Sequence, residues 1–331
     1  MRNYQVRIRN LPEGVPTPED FEFVATEAPE PDKGEMLCRT EWLSLDPYVR
    51  ARIDGRQYPT LLRPGDVMPA RAICEVVQSR NEVFNVGEKV VMEAGLQSYC
   101  ISDGVHVQRI KTGGAPMTTA LGVMGMPGLT AYCGLLDLAE VRQGEIVLVS
   151  AAAGAVGSMV GQIARIKGCK VIGIAGTRQK CEWCVKEAHF NACINYRSES
   201  LTQRLRQLAP RGVHVFFDNS GGEILDTVVT GGHVSAGGRV VLCGLIRADD
   251  LVERAPDESL APAVRARPRV LPLVAHDYEH RREAFLKDAI AWFAEGHLRY
   301  KEDIVQGLQN AAAHFCKLMR GENFGKALVK A

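Results

Sequence analysis

Short apolar runs rich in β-branched residues recur through the middle of the chain. They are Ile146–Val149, Lys170–Ile174, Val213–Asp218 and Arg239–Cys243. After the first run, Val156, Val160, Ile163 and Ala164 recur at three- and four-residue steps, and Gly222 to Val229 reads as a further helix. Continuous apolar strands alternating with amphipathic helices predict a doubly wound parallel sheet in an α/β domain. The first 120 or so residues are patterned differently. Glu35–Thr40, Ala70–Val77, Lys89–Met92 and Ser98–Ile101 read as short strands, with turns at Pro64-Gly65-Asp66, Asn85–Glu88 and Asp103-Gly104. Short strands at that spacing predict a small barrel. Pro12 to Pro31 reads as an extended surface stretch. Met126-Pro127-Gly128 opens a helix of small and apolar residues. The strand-like tail Phe324–Val329 is expected to return to the barrel.

Composition narrows the picture. A chain of 331 residues with 46% hydrophobic positions suits two domains, each with its own core. A net charge of +1 without a basic block argues against nucleic acid and anionic membrane as partners. Met1–Arg7 has no apolar h-region, and no run of eighteen apolar residues occurs, so a soluble cytoplasmic protein is expected. The ten cysteines are scattered and form no disulfide framework. Cys38, Cys74, Cys169, Cys193 and Cys243 lie in apolar surroundings and read as small core residues. Cys181-Glu182-Trp183-Cys184 falls within a helical pattern and has no second pair at metal spacing. The eight histidines are scattered too, so no metal is expected.

The candidate chemistry begins where the first strand of the sheet ends. Ala152-x-Gly154-x-x-Gly157 is a dinucleotide fingerprint with its first glycine replaced by alanine. Gly154 lets the backbone approach a pyrophosphate, Gly157 lets the helix lie close on the strand, and the helix N-terminus offers free N–H groups. The next strand ends at Ala175-Gly176-Thr177-Arg178, where an acidic residue would accept from the 2′-hydroxyl of NAD. No acid is present. Arg178 and Lys180 stand there instead, and cations suit a 2′-phosphate, so the cofactor is read as NADP(H).

Five motifs in order carry a resemblance over nearly the whole chain. They are Leu43–Arg50 with its Asp46-Pro47-Tyr48, Gly125–Tyr132, Ser150–Ala164, Phe217–Gly222 and Gly321–Lys326. With them the chain resembles the medium-chain dehydrogenase/reductase superfamily, in its zinc-free branch of prostaglandin reductases, leukotriene hydroxydehydrogenases, alkenal double-bond reductases and curcumin reductase. The resemblance implies a GroES-like barrel substrate domain from residues 1–121 and 298–331, and a Rossmann domain from residues 122–297. It implies NADPH-dependent reduction of a carbon–carbon double bond conjugated to a carbonyl, by a homodimer acting on a small enone or enal. Its pyrophosphate turn falls on Gly154, Ala155, Val156 and Gly157, and its 2′-phosphate contacts on Lys180 and Tyr196. Asn219, the strand end Cys243-Gly244-Leu245 and Asn323 fall on further cofactor positions, and Tyr48 lies beside the substrate. Two regions depart from the pattern. The tyrosine expected soon after Cys243 is absent from Ile246-Arg247-Ala248-Asp249, and Leu273–Tyr278 replaces an aromatic-rich strand.

Hydride attack on the β-carbon of an enone gathers negative charge on the carbonyl oxygen, which needs a donor. Tyr48 is the candidate. The zinc dehydrogenases of the superfamily carry Gly-His-Glu where this chain reads Gly65-Asp66-Val67, and the four-cysteine lobe is missing. A quinone oxidoreductase and a non-catalytic NADPH-binding protein remain alternative readings.

Overall fold

In a computed structural model, residues 1–54, 62–243 and 268–331 are described, Asp54 by its backbone only. The chain divides into two compact units, Met1–Gly122 with Lys301–Ala331, and Val123–Tyr300.

The first unit is built from both ends of the chain. Its strands are β1 (Arg2–Ile8), β2 (Phe21–Glu27), β3 (Met36–Ser44), β4 (Arg71–Ser79), β5 (Lys89–Glu93), β6 (Tyr99–Ser102) and β7 (Gln108–Arg109), with helix α1 (Tyr48–Asp54) after β3. A mostly antiparallel sheet runs β14-β15-β3-β4-β5-β7, with β6 also on β3; here β14 is Glu302–Gln306 and β15 is Lys326–Lys330. The stretch read as extended surface contains β2, which pairs antiparallel with β1. Strand β1 in turn bonds outward, Val6 donating to the Leu96 carbonyl and Met68 to the Val6 carbonyl. One core fills the space enclosed by these strands, from Val6, Ile8 and Phe21 through Met36, Leu43, Met68 and Val90 to Phe315 and Val329.

The second unit holds a six-stranded parallel sheet in the order β10-β9-β8-β11-β12-β13. Its strands are β8 (Ile146–Val149), β9 (Lys170–Ala175), β10 (Ala192–Asn195), β11 (Val213–Asp218), β12 (Val234–Cys243) and β13 (Arg269–Leu273). The helices are α2 (Met126–Cys133), α3 (Ala155–Ile166), α4 (Arg178–Lys186), α5 (Leu201–Leu208), α6 (Gly222–Thr230) and α7 (Arg282–Ala294); α8 (Ala311–Met319) belongs to the first unit. Leu148, Ile172, Phe216 and Val240 bury one face of the sheet with Leu205 of α5 and Leu225 and Val228 of α6. Gly128 is fixed by packing: a Cβ there would lie 2.2 Å from the Val123 carbonyl and 2.6 Å from the Phe285 ring.

Candidate functional site

In the second unit the chain leaves β8 toward β9 and β10 on one side, then returns to build β11, β12 and β13 on the other. The strand order reverses between β8 and β11, and such a switch point opens a crevice at the carboxyl ends of the strands. Two strand ends flank it. Ser150 follows β8, and its hydroxyl donates to Asp218 Oδ1 at 2.6 Å while accepting from the Asn219 N–H at 2.7 Å. The Ser220 and Gly221 N–H groups also donate to the Asp218 carboxyl, yet burial outweighs them and raises its pKa above the usual carboxylate range. The Asn219 amide donates to the Ser150 carbonyl at 2.9 Å, and its Oδ1 is buried without a hydrogen-bond partner. Buried acceptors are normally paired, so this oxygen is a place for a ligand donor.

The glycine turn lies beside it. Ala151 takes a left-handed φ of 47°, and the Gly154 N–H donates to its carbonyl at 2.8 Å. Gly154 is the extended cap of α3, and no acidic residue occupies the first helical turn. A Cβ on Gly157 would stand 2.4 Å from the Ala151 carbonyl oxygen, so only glycine fits. The first-turn N–H groups, Ala155, Val156 and Gly157 among them, have no intrahelical acceptor and suit a pyrophosphate.

At the end of β9, Thr177 caps α4, its hydroxyl accepting from the Lys180 N–H at 3.2 Å. Arg178 and Lys180 both stand in the first turn of that helix. The Arg178 guanidinium, however, pairs with Glu182 one turn on, at 2.7 Å, with its side chain 89% exposed. Tyr196, just past β10, is 40% exposed and lies against Gly176, where a Cβ would be 3.3 Å from the phenol oxygen. Cys243 ends β12 half-buried, and burial with the nearby Asp218 carboxyl pushes its thiol up to about 12. Gly244 and Leu245, like the run where the family tyrosine is missing, lie outside the described residues.

Tyr48 and Asn323 belong to the first unit. Tyr48 opens α1, half-buried, and its hydroxyl donates to Glu93 Oε1 at 3.2 Å. Burial, then the Glu93 and Asp46 carboxylates, hold its pKa well above the ordinary phenol value, so it stays a protonated donor. Asn323 donates to the Gly325 carbonyl at 2.8 Å. Sequence reasoning missed what joins these two motifs: the Lys326 ammonium, 5% exposed, is buried against the Asp46 carboxylate and donates to the Leu45 carbonyl at 3.0 Å. The Ser44 hydroxyl donates to the other Asp46 oxygen. Both partners stood inside quoted motifs; nothing in the sequence paired them. Glu93 was missed because no motif carries it.

Among the described residues, no three His, Cys, Asp or Glu side chains converge as a metal site. At the position of the zinc motif, Asp66 accepts from the Arg63 N–H at 2.8 Å as an ordinary turn carboxylate.

Residues 4–110 match the family described as N-terminal domain of oxidoreductase, and residues 155–279 the one described as zinc-binding dehydrogenase. The chain is 35% identical to NADPH-dependent curcumin reductase of Escherichia coli, covering 99% of this chain and 97% of that protein. It is 38% identical to prostaglandin reductase 1 of Bos taurus, with 96% of each covered. The crystal structure of CurA from Vibrio vulnificus in complex with NADPH superposes with a TM-score of 0.89 at 38% identity, over 100% of this chain and 99% of that one. Such identity along almost the full length, on a dehydrogenase fold with the switch point and glycine turn in place, means that the chain belongs to the medium-chain dehydrogenase/reductase superfamily, beside the curcumin and prostaglandin reductases.

Proposed function

We propose that the protein is an NADPH-dependent reductase of the carbon–carbon double bond of α,β-unsaturated ketones or aldehydes. The observation that carries the reading is the crevice at the switch point, where the glycine turn meets the unsatisfied Asn219 Oδ1. The names of the relatives, an NADPH-dependent curcumin reductase and a prostaglandin reductase, agree with it. When bound, NADPH supplies the hydride that adds to the β-carbon of the substrate. The turn Gly154–Gly157 and the start of α3 hold its pyrophosphate. Lys180 and Tyr196 serve the 2′-phosphate, and Asn219, Cys243 and Asn323 complete the contacts. Tyr48 donates to the carbonyl oxygen as the enolate forms, its phenol kept protonated by burial and by Glu93. The reaction uses no zinc. The 1–122 and 301–331 unit is taken as the substrate domain and 123–300 as the cofactor domain.

The same reading makes the enzyme a cytoplasmic homodimer, which sedimentation would check. No helix among the described residues is long and apolar enough to cross a membrane. The test of the function is a panel of enones, enals and quinones assayed with NADPH and NADH. Oxidation of NADPH by enones, with the saturated ketone as product, supports the reading. Turnover with quinones alone replaces it by a quinone oxidoreductase, and no turnover with any substrate leaves a binding protein.

A further inference from the structure

Three cations stand near the ends of β9 and β10, and their surroundings differ. Arg178 is already paired with Glu182, which also lies 3.6 Å from the Lys186 ammonium. Lys180 stands in the first turn of α4. The third, Arg197, carries no motif and was not anticipated from the sequence. Strands β9 and β10 run in parallel register, Ala175 opposite Asn195, so the residues that follow each strand emerge side by side. Gly176 and the pair Tyr196-Arg197 thereby meet. An added Cβ on Gly176 would lie 3.3 Å from Arg197 Nε and 3.3 Å from the Tyr196 hydroxyl. The Arg197 guanidinium and the Tyr196 phenol therefore both lie close beside the Gly176 backbone, and a side chain at Gly176 would crowd them. The Arg197 guanidinium lies 5.8 Å from the Tyr196 ring and has no carboxylate partner among the described residues.

The local electrostatics also ask for an anion. Helix α4 has Arg178 and Lys180 in its first turn and no acidic residue there. Cations at the positive end of a helix dipole are unfavourable, and a local rule broken in this way marks a functional site. A phosphate dianion seated by Gly176 would neutralise the cluster, and a guanidinium binds such oxygens in a fork that an ammonium cannot offer.

We propose that Arg197 is the guanidinium that recognises the 2′-phosphate of the cofactor ribose, and that Arg178 is not. The proposal rests on the NADP(H) reading. It names a specificity residue that the glycine fingerprint and the basic helix start do not reveal. Binding of 2′,5′-ADP and of 5′-AMP to the full-length protein by calorimetry tests it without turnover. Arg197→Ala should weaken 2′,5′-ADP about tenfold, the loss of one charge-assisted hydrogen bond, and leave 5′-AMP unchanged. Arg197→Lys should recover only part of that loss. Arg178→Ala should leave both ligands within about twofold, since it removes a surface ion pair alone. An Arg197→Ala protein that binds 2′,5′-ADP as wild type, or loses both ligands equally, overturns the proposal. So does a tenfold loss from Arg178→Ala. Wild-type protein that does not prefer 2′,5′-ADP over 5′-AMP would instead overturn the NADP(H) reading beneath it. Thermal denaturation of each variant without ligand separates recognition from folding.

Discussion

Lys326→Met should be among the most damaging single changes in the first unit. Methionine keeps most of the length and apolar stem of lysine but removes the charge. The Lys326 and Asp46 side chains are 5% and 7% exposed, so water cannot replace the ammonium. The variant leaves the Asp46 carboxylate with the Ser44 hydroxyl and strips the Leu45 carbonyl of its donor. Removing one partner of a buried pair costs about 3–5 kcal/mol, a large fraction of the ~5–15 kcal/mol that holds a domain folded. The cost comes from the abandoned charge, which gives a second arm. Replacing both partners, Lys326→Met with Asp46→Leu, should recover most of the loss, because an apolar pair of similar volume is neutral or better. Trp42 offers the readout. It lies on β3 with its ring 5.7 Å from the Lys330 ammonium on β15. In a background with Trp183→Phe and Trp292→Phe, its fluorescence in a urea titration follows the first unit alone, which avoids treating two units as one transition. A loss below about 1 kcal/mol, typical of exposed pairs, would refute the reasoning. A double variant no more stable than the single one would refute it too.

Tyr48→Phe should lower kcat and kcat/KM together, by no more than the ~2.7 kcal/mol lower bound for an oxyanion donor, with NADPH affinity unchanged; a wild-type kcat with only KM raised would make Tyr48 a positioning residue. Gly157→Ala forces a methyl to within 2.4 Å of the Ala151 carbonyl. It should destabilise by about 1–3 kcal/mol and raise the Kd for NADPH, and unaltered binding would contradict the close approach. Burial holds the Asp218 carboxyl above the ordinary aspartate range. A carboxyl whose folded pKa is raised stabilises below its unfolded pKa, and that contribution disappears as pH rises through the folded value. Asp218→Asn should therefore flatten the decline in Tm as pH rises above about 4; parallel curves for variant and wild type would sink this account.

The strands most legible in the sequence are those buried on both faces. Ile146–Val149 and Val213–Asp218 start and stop where the apolar run does, because a central parallel strand tolerates no polar face. Strand β12 begins at Val234, five positions before the apolar run, because Gly237 and Gly238 interrupt the pattern where its register with β11 shifts. Strand β1 escaped notice for another reason. Its inner face carries Asn3 and Gln5, and Asn3 Oδ1 accepts from the Tyr99 N–H at 2.9 Å. Buried polar residues with specific partners look like surface residues in a hydrophobic pattern. The site divides in the same way. Gly154, Gly157 and Asn219 could be placed because they follow strands whose ends were clear. Arg178 could not be judged by position alone, since Glu182 four residues on claims its charge. Arg197 could not be placed because its position beside Gly176 depends on which strand ends lie side by side.

Strand β15 lies between β14 and β3, and its antiparallel partners on β3 are Trp42, Leu43 and Ser44. Synthesis makes β3 long before β15, since Lys326 follows Asp46 by 280 residues. At ~5–20 residues per second, that interval lasts roughly 14–56 s. Throughout it β3 has an open edge toward the missing strand, and the Asp46 carboxylate has no ammonium to meet. The contiguous 123–300 unit can fold in the meantime; the unit made of both chain ends cannot close. An unpaired apolar edge of this kind is where nascent chains associate wrongly. The nascent protein is thus exposed to aggregation at Trp42–Ser44 until β15 is made, and a chain stalled or truncated before Lys326 keeps that edge for good.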